Sequence, residues 1–292
     1  MPRAVTNDKV SLFYKDWGPR DGTPIVLLHG WPLTGDTFDD LAVALAEDGY
    51  RSIVPDRRGF GRSDQPWDGY DYGTFASDVD SVLVDAGIDG PFAVAGFSMG
   101  GGEVAKLVAR HGDRITKASL IGAVVPSMLQ ADDNPNGVPQ SLFDEMTAGM
   151  KQDRAAFFTS FAKDFFGVGV MAHPVSEAVL DDFFRQAMMA GLRPTLAAAQ
   201  AFATTDFRGD LRHFTMPTLV IHGTKDATVP IDATAREVKK AVPSAQLIEY
   251  DGSAHGLFAT DKERLTGDIR AFLGSAADTR SAIPLGQSTE RS

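Results

Sequence analysis

The segment Gly96-Phe97-Ser98-Met99-Gly100 is a G-x-S-x-G, weak by itself and informative in its setting. The apolar run before it (FAVAG, 92–96) reads as a strand. The stretch after it (100–110) reads as a helix with Val104, Leu107 and Val108 on one face. A serine at such a strand-to-helix turn presents its hydroxyl at the strand end, and the next backbone N–H opens a helix N-terminus that favours negative charge. Glycines at 96 and 100 let strand and helix approach. A serine hydroxyl is a poor nucleophile unless a base takes its proton and a third group holds the base. Two residues further along fit those roles, in the chain order serine, acid, histidine. Asp226 follows the apolar run 217–222 in HGTKD, and His255 follows the run 246–250 in GSAHG. If these runs are parallel strands, all three side chains emerge at one sheet edge. The run 118–125 offers another slot for the acid, but it ends Gly122-Ala123-Val124-Val125 with no carboxylate, which favours Asp226.

Acyl transfer also needs donors for a developing oxyanion, each worth about 2.7–4 kcal/mol when removed. The Met99 N–H is one candidate. The loop His29-Gly30-Trp31-Pro32 supplies the other, the Trp31 N–H, with Pro32 restricting Trp31 to extended geometry. His29 reads as a brace for that loop and His222 as support for the loop after its strand. His111 and His213 read as surface or helix-end residues, and His173 as a residue before a proline. The loop Asp56-Arg57-Arg58-Gly59-Phe60-Gly61-Arg62-Ser63 lacks any phosphate-cradling glycine pattern and is taken as structural. No H-E-x-x-H or comparable spacing occurs, so neither a metal nor a cofactor is expected.

These residues need a scaffold that brings distant strand ends together. Strand-like runs at 10–14, 24–28, 51–55, 92–96, 118–125, 217–222 and 246–250 alternate with helical stretches at 38–47, 75–86, 100–110 and 260–273. That alternation predicts an α/β fold with a mostly parallel sheet. The rhythm stops between Val125 and Pro217, where helical periodicity carries Phe157, Phe158, Phe161, Phe165, Phe166, Phe183, Phe184 and Phe202. Most of these should be helix-packing core, with two to four facing a pocket. The expected organisation is a core of residues 1–125 and 216–274, a helical lid at 126–215 inserted between strands 6 and 7, and a polar tail at 275–292.

Composition narrows the function classes. The 292 residues are 43% hydrophobic and 23% charged, with 28 basic against 39 acidic side chains, for a formal charge of −11. So acidic a chain, with no basic patch, is not expected to bind nucleic acid. Cysteine is absent, which removes thiolate nucleophiles, disulfides and Cys-based metal sites. No apolar run approaches a membrane span, and the first residues lack a signal-like apolar region, so a cytoplasmic protein is expected.

The chain closely resembles the α/β-hydrolase superfamily, and within it the cofactor-free (non-haem) haloperoxidase, perhydrolase and arylesterase group. The resemblance is carried by HGWPL at 29–33, DRRGFGRSDQPW at 56–67, GFSMGGGEVA at 96–105, AFATTDFR at 201–208, HGTKD at 222–226 and SAHG at 253–256. It covers about residues 5–273 and implies a Ser98–His255–Asp226 triad with an oxyanion hole at the Trp31 and Met99 amides. It also implies a small acyl pocket walled by Trp31, Val124, Met128, Phe161, Phe165, Phe202, Thr228 and Ile231. Members hydrolyse small carboxylic or aryl esters, and many make peracids from a short acid and hydrogen peroxide. The resemblance therefore implies a serine esterase with accessory perhydrolase activity, a small ester or acid as ligand, and self-association as in many relatives. Pro32 is similar to the members with stronger perhydrolase activity. A lactamase or lactonase on the same machinery is the alternative, followed by a ligand-binding relative with little turnover. Epoxide hydrolase and dehalogenase relatives use aspartate where Ser98 stands.

Overall fold

The structure is a computed structural model and describes residues 2–274. The tail expected at 275–292 lies outside the described residues. Eight strands form one sheet: β1 (Arg3–Val5), β2 (Ser11–Trp17), β3 (Thr23–Leu28), β4 (Tyr50–Pro55), β5 (Phe92–Phe97), β6 (Ile115–Ile121), β7 (Thr218–Gly223) and β8 (Gln246–Tyr250). Their spatial order is β1-β2-β4-β3-β5-β6-β7-β8. The pairs β1–β2 and β2–β4 are antiparallel, and every pair from β4 to β8 is parallel. The central strands β3 and β5 are short apolar runs because helices cover both their faces. All six residues of β5 are buried.

The connections are helical: α1 (Asp39–Glu47), α2 (Tyr72–Asp85), α3 (Met99–His111), α4 (Gln140–Phe166), α5 (Glu177–Met189), α6 (Leu192–Thr204), α7 (Ala235–Ala241), α8 (Leu257–Thr260) and α9 (Lys262–Gly274). Helix α2 starts at Tyr72, three residues before the expected Phe75, because Asp71 caps it by accepting the Thr74 N–H at 3.0 Å. Strand β1, three residues long, is too short to leave a period-2 signal. Strand β6 ends at Ile121 and not at the expected Val125. Gly122, at φ +50°, turns the chain out of the sheet toward Ser98, where the Val124 N–H donates to the Ser98 carbonyl at 3.2 Å.

Strands β6 and β7 pair directly, Ala118 beside Thr218, although α4, α5 and α6 intervene in the chain. Those three helices pack on one another, α4 touching both α5 and α6. Helix α4 is two helices joined at Asp153, whose backbone is non-helical and whose side chain caps the second half by accepting the Ala156 N–H. The second half carries Phe157, Phe161 and Phe165 at i, i+4 spacing, hence on one face. Among the described residues no helix is long and apolar enough to cross a membrane.

Candidate active site

Three strand ends bring the predicted triad residues together. Ser98 sits between β5 and α3 at φ +54°, ψ −118°, a conformation that strains any residue with a Cβ. Its N–H donates to the Ile121 carbonyl of β6 at 2.8 Å, and its carbonyl accepts from Gly101 of α3 at 3.0 Å, so the neighbouring strand and the following helix hold the strained turn. The turn is tight enough that a Cβ on Gly96 would stand 2.3 Å from the Gly100 carbonyl oxygen, and one on Gly100 would stand 2.1 Å from the Leu28 carbonyl oxygen. Only glycine permits this approach.

His255, in the loop after β8, lies with Nε2 2.9 Å from Ser98 Oγ and Nδ1 2.5 Å from Asp226 Oδ2. Asp226, in the loop after β7, accepts the Thr228 and Val229 N–H groups on Oδ1 at 3.0 and 2.8 Å. Burial pushes its carboxyl up. The electrostatic pull of His255 and the hydrogen bonds from His222 and His255 outweigh burial and hold it well below the usual carboxylate range. An ionised Asp226 accepts the His255 Nδ1–H, which leaves Nε2 free to accept the Ser98 hydroxyl hydrogen. The His255 ring is clamped between Phe97, at 4.9 Å between centroids, and Phe165, edge-on at 4.8 Å.

The loop after β3 lies against this turn. A Cβ on Gly30 would come within 3.0 Å of the Ser98 Cβ. Among the described residues, neither the Trp31 nor the Met99 N–H donates to a protein acceptor. The Trp31–Pro32 peptide is cis. The Trp31 indole is buried, donates to the Thr195 carbonyl of α6 at 3.0 Å, and packs on Phe158, Phe161 and Phe202. His29 braces this loop: the Arg57 N–H donates to its Nε2 at 2.9 Å, so its Nδ1–H donates to the Gly30 carbonyl at 2.8 Å. Burial, reinforced by the charge of Arg57, pushes the His29 imidazole well below its ordinary range, consistent with a bracing and not a titrating role.

The loop carrying Asp56, Arg57, Arg58 and Arg62 is knitted inward by buried ion pairs. Arg57 pairs with Glu103 and Arg58 with Asp78, while Asp56 accepts from Arg62 and from the Gly35 N–H. It is a structural loop. His111 ends α3 against Asp80, as expected of a helix-end histidine. Among the described residues no group of three or more His, Asp or Glu side chains could hold a metal ion.

A cavity of about 870 Å³ opens beside Ser98. Of the expected walls, Trp31, Val124, Met128, Phe161, Phe202 and Thr228 line it. Phe165 and Ile231 do not. Phe165 is fully buried behind the cavity, wedged among His255, Phe97, Phe166 and Phe183, and Ile231 lies buried just past Pro230, the last wall residue of its loop. Of the eight phenylalanines noted in the helical segment, Phe157, Phe161 and Phe202 face the cavity. The cavity is larger than a small acyl pocket because segments on both sides of α4 add walls: Val138 and Pro139 on one side, Gly167, Val168 and Ala172 on the other. Their spacing is neither helical nor strand-like, so no sequence pattern marks them.

The residues 23–262 match the family model described as the alpha/beta hydrolase fold. The chain belongs to the α/β-hydrolase family and, within it, to the group of non-haem haloperoxidases and perhydrolases. It is 43% identical to a "Non-heme chloroperoxidase" from Kitasatospora aureofaciens, over 94% of this chain and 99% of that one. It is 39% identical to a "Bifunctional esterase/perhydrolase" from Acinetobacter calcoaceticus, over 94% and 100%. Among solved structures, a bromoperoxidase from Bacillus anthracis superposes with a TM-score of 0.89 at 39% identity, covering 94% of this chain and 99% of that one. The chain is accordingly an enzyme of the hydrolase class.

Proposed function

We propose that the protein is a serine carboxylic ester hydrolase that works through an acyl-enzyme and also accepts hydrogen peroxide in place of water. The observation that carries this reading is the contact series Ser98 Oγ–His255 Nε2 at 2.9 Å and His255 Nδ1–Asp226 Oδ2 at 2.5 Å, at the wall of an apolar cavity. His255 takes the Ser98 proton as the hydroxyl oxygen attacks the ester carbonyl. Asp226 holds the imidazole tautomer and stabilises the imidazolium. The tetrahedral oxyanion rests against the Trp31 and Met99 N–H groups, and the alcohol leaves with the proton from His255. Water or hydrogen peroxide then attacks the acyl carbonyl, giving acid or peracid and restoring Ser98.

The cavity fits uncharged esters. Its walls include Trp31, Val124, Met128, Phe161 and Phe202. Ligand sites run from about 300 to 1,000 Å³, so this volume leaves room for an aryl group beside a short acyl chain. The helices between β6 and β7 serve as the lid over the cavity. Hydrolysis of p-nitrophenyl acetate and butyrate by the wild type and by Ser98→Ala tests the reading. Turnover is expected in the wild type and a loss of about 10⁴-fold or more in the variant. Equal rates in both proteins overturn it.

A further inference from the structure

His222 lies near the end of β7, wholly buried, and takes no part in the proton path just described. Its Nε2 is 2.8 Å from the Val229 carbonyl oxygen and 3.3 Å from Asp226 Oδ2. A carbonyl oxygen only accepts, so Nε2 carries the ring hydrogen and directs it between two acceptors. Nδ1 is buried with no hydrogen-bond partner. In the Nε2–H form only a lone pair is unpaired there, and the ring serves as one fixed donor.

This donor completes the surroundings of the Asp226 carboxylate. Oδ1 accepts the Thr228 and Val229 N–H groups, and Oδ2 accepts from His255 and faces His222. Val229 is held at both ends, its N–H by Asp226 and its carbonyl by His222. The result is a closed circuit of Asp226, Val229 and His222 that blocks rotation of the carboxylate. Among the described residues, Asp226 lies within ion-pair distance of these two histidines and of no lysine or arginine. The other charged side chain next to His222 in the sheet, Glu249 of β8, is engaged by Arg236.

We propose that His222 is a positioning residue of the triad, whose Nε2–H fixes the Asp226 carboxylate so that Oδ2 faces His255. This rests on the reading of Ser98, His255 and Asp226 as the triad. An apolar side chain of the same size would fill the space, yet would leave Oδ2 and the Val229 carbonyl each one donor short.

The test compares His222→Leu, His222→Asn and His222→Gln in the full chain. A glutamine amide nitrogen reaches the place of Nε2, and an asparagine nitrogen does not. The readouts are kcat and KM for p-nitrophenyl acetate, and the far-downfield proton resonance of His255 Nδ1–H in the substrate-free protein. The leucine and asparagine variants are expected to lose about 10-fold or more in kcat at unchanged KM, as for loss of one hydrogen bond to a charged group, and to shift or broaden the resonance. His222→Gln is expected to recover most of both. If His222→Leu does not fold, the asparagine–glutamine comparison decides. Equal kcat in those two variants, or wild-type kcat with an unmoved resonance in His222→Leu, overturns the proposal. A wild type without ester turnover, whose resonance nonetheless responds to His222, overturns the esterase reading and leaves the positioning role standing.

Discussion

Replacing Glu103 with glutamine removes what ties the Trp31 loop to α3. The Glu103 carboxylate accepts Arg57 Nε at 2.9 Å and a terminal guanidinium nitrogen at 2.5 Å, and that same nitrogen donates to the His29 carbonyl at 2.6 Å. Both side chains are almost fully buried, at 2% and 3% exposure. Glutamine keeps the shape and one carbonyl acceptor but leaves the guanidinium without a counter-charge. Breaking a buried ion pair from one side costs about 3–5 kcal/mol, and the retained acceptor places this change near the low end. At about 2–4 °C per kcal/mol for a domain of this size, the midpoint of thermal unfolding should fall by about 6–12 °C. Turnover should fall too, because the loop that Arg57 holds carries the Trp31 N–H. Complete loss of an oxyanion donor costs about 10²–10³ in kcat, and a loosened loop should cost about 10-fold with KM little changed. Combining Arg57→Met with Glu103→Leu removes both charges and should restore part of the thermal stability. It should not restore kcat, because without Arg57 the His29 carbonyl has lost its donor. Thermal melts and p-nitrophenyl acetate kinetics on the three proteins make the comparison. A Glu103→Gln protein that melts within about 2 °C of the wild type and keeps its kcat refutes the reasoning.

Asp226→Asn should lower kcat by about 10⁴ through loss of the correct imidazole tautomer. It should also flatten the acid limb of stability. The folded carboxyl titrates below its ordinary 3.8, so the unfolded chain takes up that proton first. Its contribution is therefore present above about pH 4 and lost as the pH falls further, and urea unfolding across that range should be less pH-dependent in the variant. Met128 and Met146 line the cavity beside Ser98, so peracid formed there meets their thioethers before it escapes. Transfer of one oxygen gives methionine sulfoxide and the carboxylic acid. Peptide mass spectra after turnover in acetate and hydrogen peroxide should show this oxidation in the wild type and less in Ser98→Ala. Equal oxidation in both would assign it to peroxide alone.

The α/β class, the parallel sheet and the order of its strand-end loops were legible in the chain because they rest on local patterns. Short apolar runs must be buried strands, and glycines at 96 and 100 mark a turn that larger residues could not make. Ser98, Asp226 and His255 could be nominated for the same reason, each standing directly after such a run. Other features depend on atoms far apart in sequence and have no local signature. The end of β6 has no local mark because Ala123, Val124 and Val125 are as apolar as a strand, while the chain turns at Gly122 and brings the Val124 N–H to the Ser98 carbonyl. Phe165 has the spacing of a pocket residue, yet it packs behind His255, a contact that forms only when α4 folds over the sheet. The Arg57–Glu103 pair joins two charged residues that no local pattern links in the sequence. His222 reads as loop support, and its contact with Asp226 exists only because the chain reverses after β7 and returns its carboxylate to the strand it has just left. Periodicity reports which face is buried. Only the folded chain decides which buried groups touch.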